Sequence, residues 1–119
     1  TYGSPSKNSD LKTNLTISGH NNLVRASSAS LPADTIVGKC PLLGPLQLHG
    51  GLSETHALFS HSPAIDVGNN AFGSTYDQRG SPFARVSGPP GSPILTADIG
   101  SYEVNQADKI FDTNFEGCP

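Results

Sequence analysis

Three carboxylates and one guanidinium are the groups whose types and spacing in this sequence best suit chemistry. Asp66, Asp98 and Glu103 stand in blocks that also contain glycine or alanine, as does Arg79. Two of the carboxylates could act as the acid and base of a glycosidase, or ligate the calcium ion of a lyase. Small neighbours also let a carboxylate approach backbone N–H groups, and an arginine fork can bridge two carboxylates. We therefore expect a partly buried structural network centred on Arg79, with Asp66 or Asp98 as its partner, and no catalytic residue.

The histidines His20, His49, His56 and His61 are the candidate metal ligands. A zinc-binding helix would present two of them at positions i and i+4, and no pair of these four has that spacing. We therefore expect neither a metal site nor a cofactor. His56 is expected to hold a loop through a bond from its ring to a carbonyl oxygen, and His49 and His61 are expected to be exposed.

Ser62 is the candidate nucleophile, because His56 or His61 could serve as its base and Asp66 could orient that base. The chain has no Gly-x-Ser-x-Gly elbow, which would expose such a serine at a sharp turn. We expect Ser62 to cap a turn instead, next to Pro63, whose ring fixes φ.

Short strands, corners and loops are the elements that would position these residues. The chain has 119 residues with 13 glycines and 10 prolines, and few windows carry apolar residues at helical spacing. Leu11, Leu15 and Ile17 follow the period of two that is typical of a strand, and residues 19–22 (GHNN) indicate a corner. This pattern predicts an all-β chain whose first part resembles a coil of a β-solenoid.

Charge and hydropathy exclude two classes of partner. The formal net charge is −3 and the seven basic residues are scattered, so the clustered positive charge of a nucleic-acid-binding protein is missing. No apolar run approaches the ~20 residues that cross a bilayer, so we expect no transmembrane segment. The sequence begins at Thr1 and contains no methionine, which predicts a processed product or a piece of a longer protein.

Two cysteines, Cys40 and Cys118, are expected to form a disulfide. The bond would close a span of 78 residues (118 − 40), which in the chain-entropy account is worth roughly 4–5 kcal/mol. It would hold the tail against the body and would imply an oxidising compartment. Two free thiols are the alternative.

Several blocks between residues 42 and 103 resemble the choice-of-anchor Q domain family. The residues that carry the likeness are, in order, Leu42–Gln47 (LLGPLQ), Gly50-Gly51, Thr55–Leu58 (THAL), Ser62–Gly68 (SPAIDVG), Asp77–Gly80 (DQRG) and Asp98–Glu103 (DIGSYE). Residues 19–24 are similar to the last β-helix coil that usually precedes this pattern. His49, His61, Ser101 and Cys40 depart from it.

The resemblance implies the C-terminal part of a pectate-lyase-like right-handed parallel β-helix on a secreted or surface protein. It implies three segments: the last β-helix coil or coils with a linker over 1–39, a loop-rich cap over 40–104, and a tail over 105–119. His56 and Gln78 would be structural loop residues of the cap. The predicted core consists of Leu43, Leu46, Leu58, Ile65, Val67, Ile99 and Tyr102, with a short strand over 98–104.

The resulting hypothesis is a non-catalytic structural cap of a bacterial surface β-helix, adhesin-like, whose partners are upstream coils of the same protein and a glycan or another surface molecule. One alternative is the C-terminal fragment of a polysaccharide lyase or hydrolase with its active site upstream. A carbohydrate-binding module is the other alternative, although tryptophan is absent and only Tyr2, Tyr76 and Tyr102 could stack on sugars.

Overall fold

Four short strands and long connecting loops make up the described part of the chain. The computed structural model describes residues 9–105. The strands are β1 (Leu23–Val24), β2 (Ile36–Val37), β3 (Leu43–Leu48) and β4 (Glu54–Leu58). The predicted all-β, loop-rich class is confirmed, and no β-helix is seen within residues 9–105. Helices are absent from this range, so it offers no helix that could cross a membrane.

The first part of the chain pairs with itself in parallel at two places. β1 lies beside β2 in the register Leu23↔Ile36, and a single bridge joins Leu11 to Ser27 in the same sense. Carboxylates hold the corners between these segments. Asp10 accepts the N–H of Arg25 at 2.7 Å, and Asp34 accepts the N–H of Asn21 at 3.0 Å.

The strand expected around Leu11, Leu15 and Ile17 is reduced to the one bridge at Leu11. The Thr13 hydroxyl accepts the N–H of Leu15 at 3.1 Å. This local side-chain bond offers the backbone an alternative to a strand ladder, and the chain bends at residues 14–15.

An antiparallel hairpin, β3–β4, follows the parallel part. Its register pairs Leu46 with His56 and Leu48 with Glu54, and the pairing is irregular between Leu43 and Leu46. Pro45 lies at the irregular position, and proline cannot donate to a ladder. The His56 ring nitrogen Nδ1 lies 2.7 Å from the carbonyl oxygen of Gly44 and bridges the two strands there.

Residues 59–105 form loops that bond to one another instead of forming long strands. Single antiparallel bridges join Tyr76 to Ala84 and Ser87 to Thr96. The predicted strand over 98–104 is wrong: its N–H groups bond to separate loops, as from Ile99 to the Ala64 carbonyl at 2.8 Å. Several distant segments therefore meet at residues 96–104.

A small core lies between the hairpin and these loops. It is built from Ala57, Leu58, Ala64, Tyr102 and Val104, with the partly buried Leu23, Leu43, Ile65 and Ile99 packed against it. Leu46 and Val67 were expected in the core but are 53% and 41% exposed. The irregular pairing places Leu46 on the outer face of the hairpin, and Val67 follows Asp66, whose φ of 61° turns the chain away.

The predicted disulfide joins a described residue to one outside the described range. Cys40 is half-buried beside Pro41. Cys118 and the tail over 106–119 lie outside residues 9–105, so the Cys40–Cys118 bond stays a prediction.

Intact mass measured before and after reduction tests this bond. We expect an increase of two hydrogens on reduction and a lower thermal midpoint, because the closed loop restricts the unfolded chain. The single variants Cys40→Ser and Cys118→Ser should lose the same stability, since each removes the same bond. Two titratable thiols in the non-reduced protein would contradict the prediction.

Gly68 lets two loops approach closely. A Cβ at this position would lie 2.3 Å from the Asp98 carbonyl oxygen, whereas a Cβ at Gly44 would meet its nearest atom at 3.6 Å. We expect Gly68→Ala to destabilise the fold by about 1–3 kcal/mol through overpacking, and Gly44→Ala to have little effect. Urea unfolding measures both variants, and equal midpoints would contradict the close approach.

Candidate functional site

The most buried charged pair joins Asp77 to Arg79. Arg79 Nη2 lies 2.7 Å from Asp77 Oδ2, and Nε lies 3.0 Å from the same oxygen. The two side chains are 1% and 0% exposed. The expected partner of Arg79 was Asp66 or Asp98, and this part of the prediction is wrong: Asp77 is the carboxylate paired with the guanidinium.

A local turn explains why Asp77 is the partner. Asp77 Oδ1 accepts the N–H of Arg79 at 2.8 Å, and the Asp77 carbonyl accepts the N–H of Gly80 at 3.0 Å. An aspartate that accepts an N–H two residues ahead forms an Asx turn. The turn brings the carboxylate to the arginine side chain without any long-range folding. The Asp-x-Arg-Gly spacing of residues 77–80 was the sequence signal for this pair.

Two aromatic rings enclose the Arg79 guanidinium. Its central carbon lies 4.0 Å from the ring centre of Phe83 and 3.9 Å from that of Tyr102. A guanidinium stacks favourably on aromatic faces. Nη2 also donates to the carbonyl oxygen of Glu103 at 2.9 Å. The charge is therefore embedded in the structure and is not presented to a substrate.

A second cluster is built on the carboxylates of Asp98 and Glu103. Asp98 accepts the N–H of Asp66 at 2.8 Å and the N–H of Val104 at 2.7 Å. Glu103 Oε2 accepts the N–H of Asp98 at 2.8 Å. Burial raises the pKa of Asp98, and burial also raises the pKa of Glu103 to about 7. Both residues are 1% exposed, so neither can reach a solute as an acid or base.

Arg85 and Asp66 lie at the margin of this cluster. Arg85 Nη1 lies 3.4 Å from Glu103 Oε2, and its Nη2 donates to the Asp98 carbonyl at 3.1 Å. Asp66 is exposed, and its carboxylate accepts the hydroxyl proton of Thr96. Asp66 thus joins the network mainly through its backbone N–H group.

The backbone of Glu103 connects the two clusters. Its N–H donates to Asp77 Oδ2 at 2.9 Å, while its carbonyl accepts from Arg79. The four predicted network residues, Asp66, Arg79, Asp98 and Glu103, are therefore linked in one chain of bonds through Asp77. These bonds join loops at residues 66–68, 77–80, 96–98 and 103–104 and so organise their backbone.

The remaining candidates also make structural contacts. Gln78 Nε2 donates to the Ser53 hydroxyl at 2.9 Å and so ties its loop to the hairpin turn. His49 was expected to be exposed but is half-buried, because its ring meets the Tyr102 ring edge-on at 5.4 Å. His61 is exposed. Ser62 donates to the Pro41 carbonyl at 2.6 Å and accepts the N–H of Ala64.

No metal centre is formed within the described part of the chain. Among residues 9–105, no three His, Cys, Asp or Glu side chains come close enough together to hold an ion. An apolar groove of about 260 Å³ runs along the core, between β1 and the loop at residues 99–102. Leu23, Leu43, Leu58 and Tyr102 are among its lining residues.

Comparison of the chain with protein-family models, with curated proteins and with solved structures finds no match. The likeness to the choice-of-anchor Q family therefore stays a prediction that rests on the blocks quoted above.

Removal of the Asp77 charge tests the importance of the buried pair. We expect Asp77→Asn to destabilise the protein by roughly 3–5 kcal/mol, because it leaves the Arg79 charge buried without its carboxylate. Gln78→Ala is the matched control in the same loop, and it should cost under about 1 kcal/mol because Gln78 is exposed. Chemical unfolding of both variants gives the comparison, and similar losses would show that the pair is not decisive.

Proposed function

We propose that this chain is a non-catalytic structural module at the C-terminal end of a right-handed parallel β-helix, carried by a secreted or surface-displayed protein. The observation that carries the proposal is the parallel pairing of residues 10–11 with 26–28 and of residues 22–24 with 36–38. When coils stack, each segment of one coil pairs in parallel with the segment of the next coil that lies beside it, and both pairings fit this requirement.

Contacts between the parallel part and the loops support a capping role. The Asn21 side chain, at a corner with φ of 56°, donates to the Val67 carbonyl at 3.1 Å. Leu23 of β1 packs against the core formed by the hairpin and loops. Residues of the 40–104 segment are therefore bonded directly to the paired strands, as a cap would be.

The buried carboxylates support the same role, because they satisfy backbone N–H groups of loops that have no strand partners. Asp77, Asp98 and Glu103 each accept at least one such group. A loop segment with its polar backbone satisfied can cover the end of a stack without offering a free strand edge for aggregation.

Among residues 9–105, β1 pairs with β2 alone, and its other edge defines where the proposed partner binds. In a parallel ladder, successive residues turn their N–H and C=O groups toward opposite neighbours. The carbonyls of Asn22 and Val24 accept from β2 residues 36 and 38, so Leu23 faces the other edge. We propose that an upstream coil of the same protein pairs there, and that glycan or surface contacts lie on upstream coils.

Hydrogen–deuterium exchange resolved by NMR tests the proposal at this edge. The chain alone is compared with the chain extended by the residues that its gene encodes upstream. We expect the amide of Leu23 to exchange at least about tenfold more slowly in the extended protein, because its N–H gains a strand partner. The amide of Val24 is the internal control and should be protected in both.

Two outcomes would contradict the proposal. One is an unchanged exchange rate at Leu23 in the extended protein. The other is an upstream sequence that forms no β-strands by circular dichroism. If the extended protein cleaves pectin while the 1–119 chain is intact and inactive, the cap role stands and the activity belongs to the upstream part.

A further inference from the structure

The hydroxyl of Ser87 lies between two buried acceptors. Its Oγ is 2.9 Å from Glu103 Oε1 and 2.7 Å from the carbonyl oxygen of Val104. Glu103 is 1% exposed and Val104 is 6% exposed, so water does not readily replace a missing bond. A serine hydroxyl carries one proton and can donate to only one of two acceptors. If Glu103 were a carboxylate, one of these two oxygens would be left without a donor.

A neutral Glu103 removes this conflict. With the proton on Oε1, the carboxylic acid donates to Ser87, and the Ser87 hydroxyl donates to the Val104 carbonyl. Oε2 remains an acceptor for the N–H of Asp98 at 2.8 Å. Each polar atom of the three residues then has a partner of the right kind, which a buried group requires.

We propose that Glu103 is a proton-dependent latch: as a neutral acid it closes the relay from Glu103 through Ser87 to Val104, and its ionisation loosens the contact between residues 85–87, 96–98 and 103–104.

The charges around Glu103 support the neutral form. Arg79 forms a bidentate pair with Asp77, in which Nε donates to Oδ1 at 3.2 Å and Nη2 donates to Oδ2 at 2.7 Å. Arg85 is the second cation, and it is shared between Glu103 and the Asp98 carbonyl, with its closer contact, 3.1 Å, to the carbonyl. Asp98 is a second buried carboxyl beside Glu103, and Asp66 adds negative charge next to Asp98. Among the described residues, the buried carboxyl groups of Asp77, Asp98 and Glu103 thus face two guanidinium groups. A proton on one of the three carboxyl groups balances these charges.

The raised pKa of Glu103 gives the direction of the effect. Burial lifts this pKa from 4.5 to about 7. An acid whose pKa is higher in the folded state binds its proton more tightly when the protein is folded. Its contribution to the stability of the folded state is therefore complete below pH ~4.5. That contribution falls as the pH rises and is lost above pH ~7. A rise in pKa from 4.5 to about 7 corresponds to a change in the unfolding equilibrium on the order of 100-fold.

A carbon-13 NMR titration of the full chain is the direct test. We expect the Glu103 side-chain carboxyl carbon to titrate with a midpoint near pH 7, and its shift to be accompanied by changes at the amides of Ser87 and Val104. A midpoint below pH 5 would overturn the proposal. This measurement needs no variant and is independent of any upstream coil.

Glu103→Gln separates the latch from an ordinary ion pair. The amide nitrogen of glutamine can donate to Ser87 while its oxygen accepts from Asp98, so this variant mimics the neutral acid. We expect this variant to be at least as stable as the wild type at pH 8. Its stability should differ much less between pH 5 and pH 8 than the stability of the wild type does. Glu54→Gln, at an exposed position in β4, is the matched control and should keep the wild-type difference.

Equal destabilisation of Glu103→Gln at both pH values would show that Glu103 is an ionised partner of Arg85, and would overturn the latch. Ser87→Ala gives a second readout, because removal of the relay deprives the neutral acid of its acceptor. We expect its carboxyl midpoint to move at least about one pH unit downward. An unchanged midpoint would contradict the relay. If Glu103→Gln does not fold, the two titrations decide the question alone.

Discussion

Three buried carboxyl groups accept backbone N–H groups, some from neighbouring residues and two from loops 26 and 32 residues away along the chain. Asp77 receives those of Arg79 and Glu103, Asp98 receives those of Asp66 and Val104, and Glu103 receives that of Asp98. In a sheet, neighbouring strands would satisfy these groups, and each buried N–H without a partner would cost free energy. In the second half of the chain, acidic side chains therefore satisfy backbone N–H groups that neighbouring strands would satisfy in a sheet.

This dependence has an electrostatic consequence. Carboxylates that leave water need compensating charge or hydrogen bonds. Arg79 compensates Asp77 within one turn of chain, and the rings of Phe83 and Tyr102 shield that pair. Asp98 and Glu103 share the more distant Arg85. The same groups that order the loops thus create a local excess of negative charge, which is relieved most simply by a proton.

The sequence predicted the parts of this arrangement that follow from local chemistry. Gly and Pro content indicated loops and short strands, and the small neighbours of Asp98 and Arg79 indicated carboxylates bonded to backbone. The role of Asp77 was not predicted, although its spacing to Arg79 carried the signal. The exposure of Leu46 and the half-burial of His49 depend on the hairpin register and on Tyr102, which is more than 40 residues away. Local periodicity in the sequence does not predict such contacts between distant segments.

The two parallel pairings in the first part of the chain enclose different lengths of chain. The chain returns beside Leu11 after 16 residues (27 − 11), but beside Leu23 after only 13 (36 − 23). At about 3.3 Å for each extended residue, the later circuit is shorter by up to about 10 Å. In the proposed β-helix, coils that shorten in this way would narrow the stack toward its end, and a small hairpin with a few loops would be enough to cover that end.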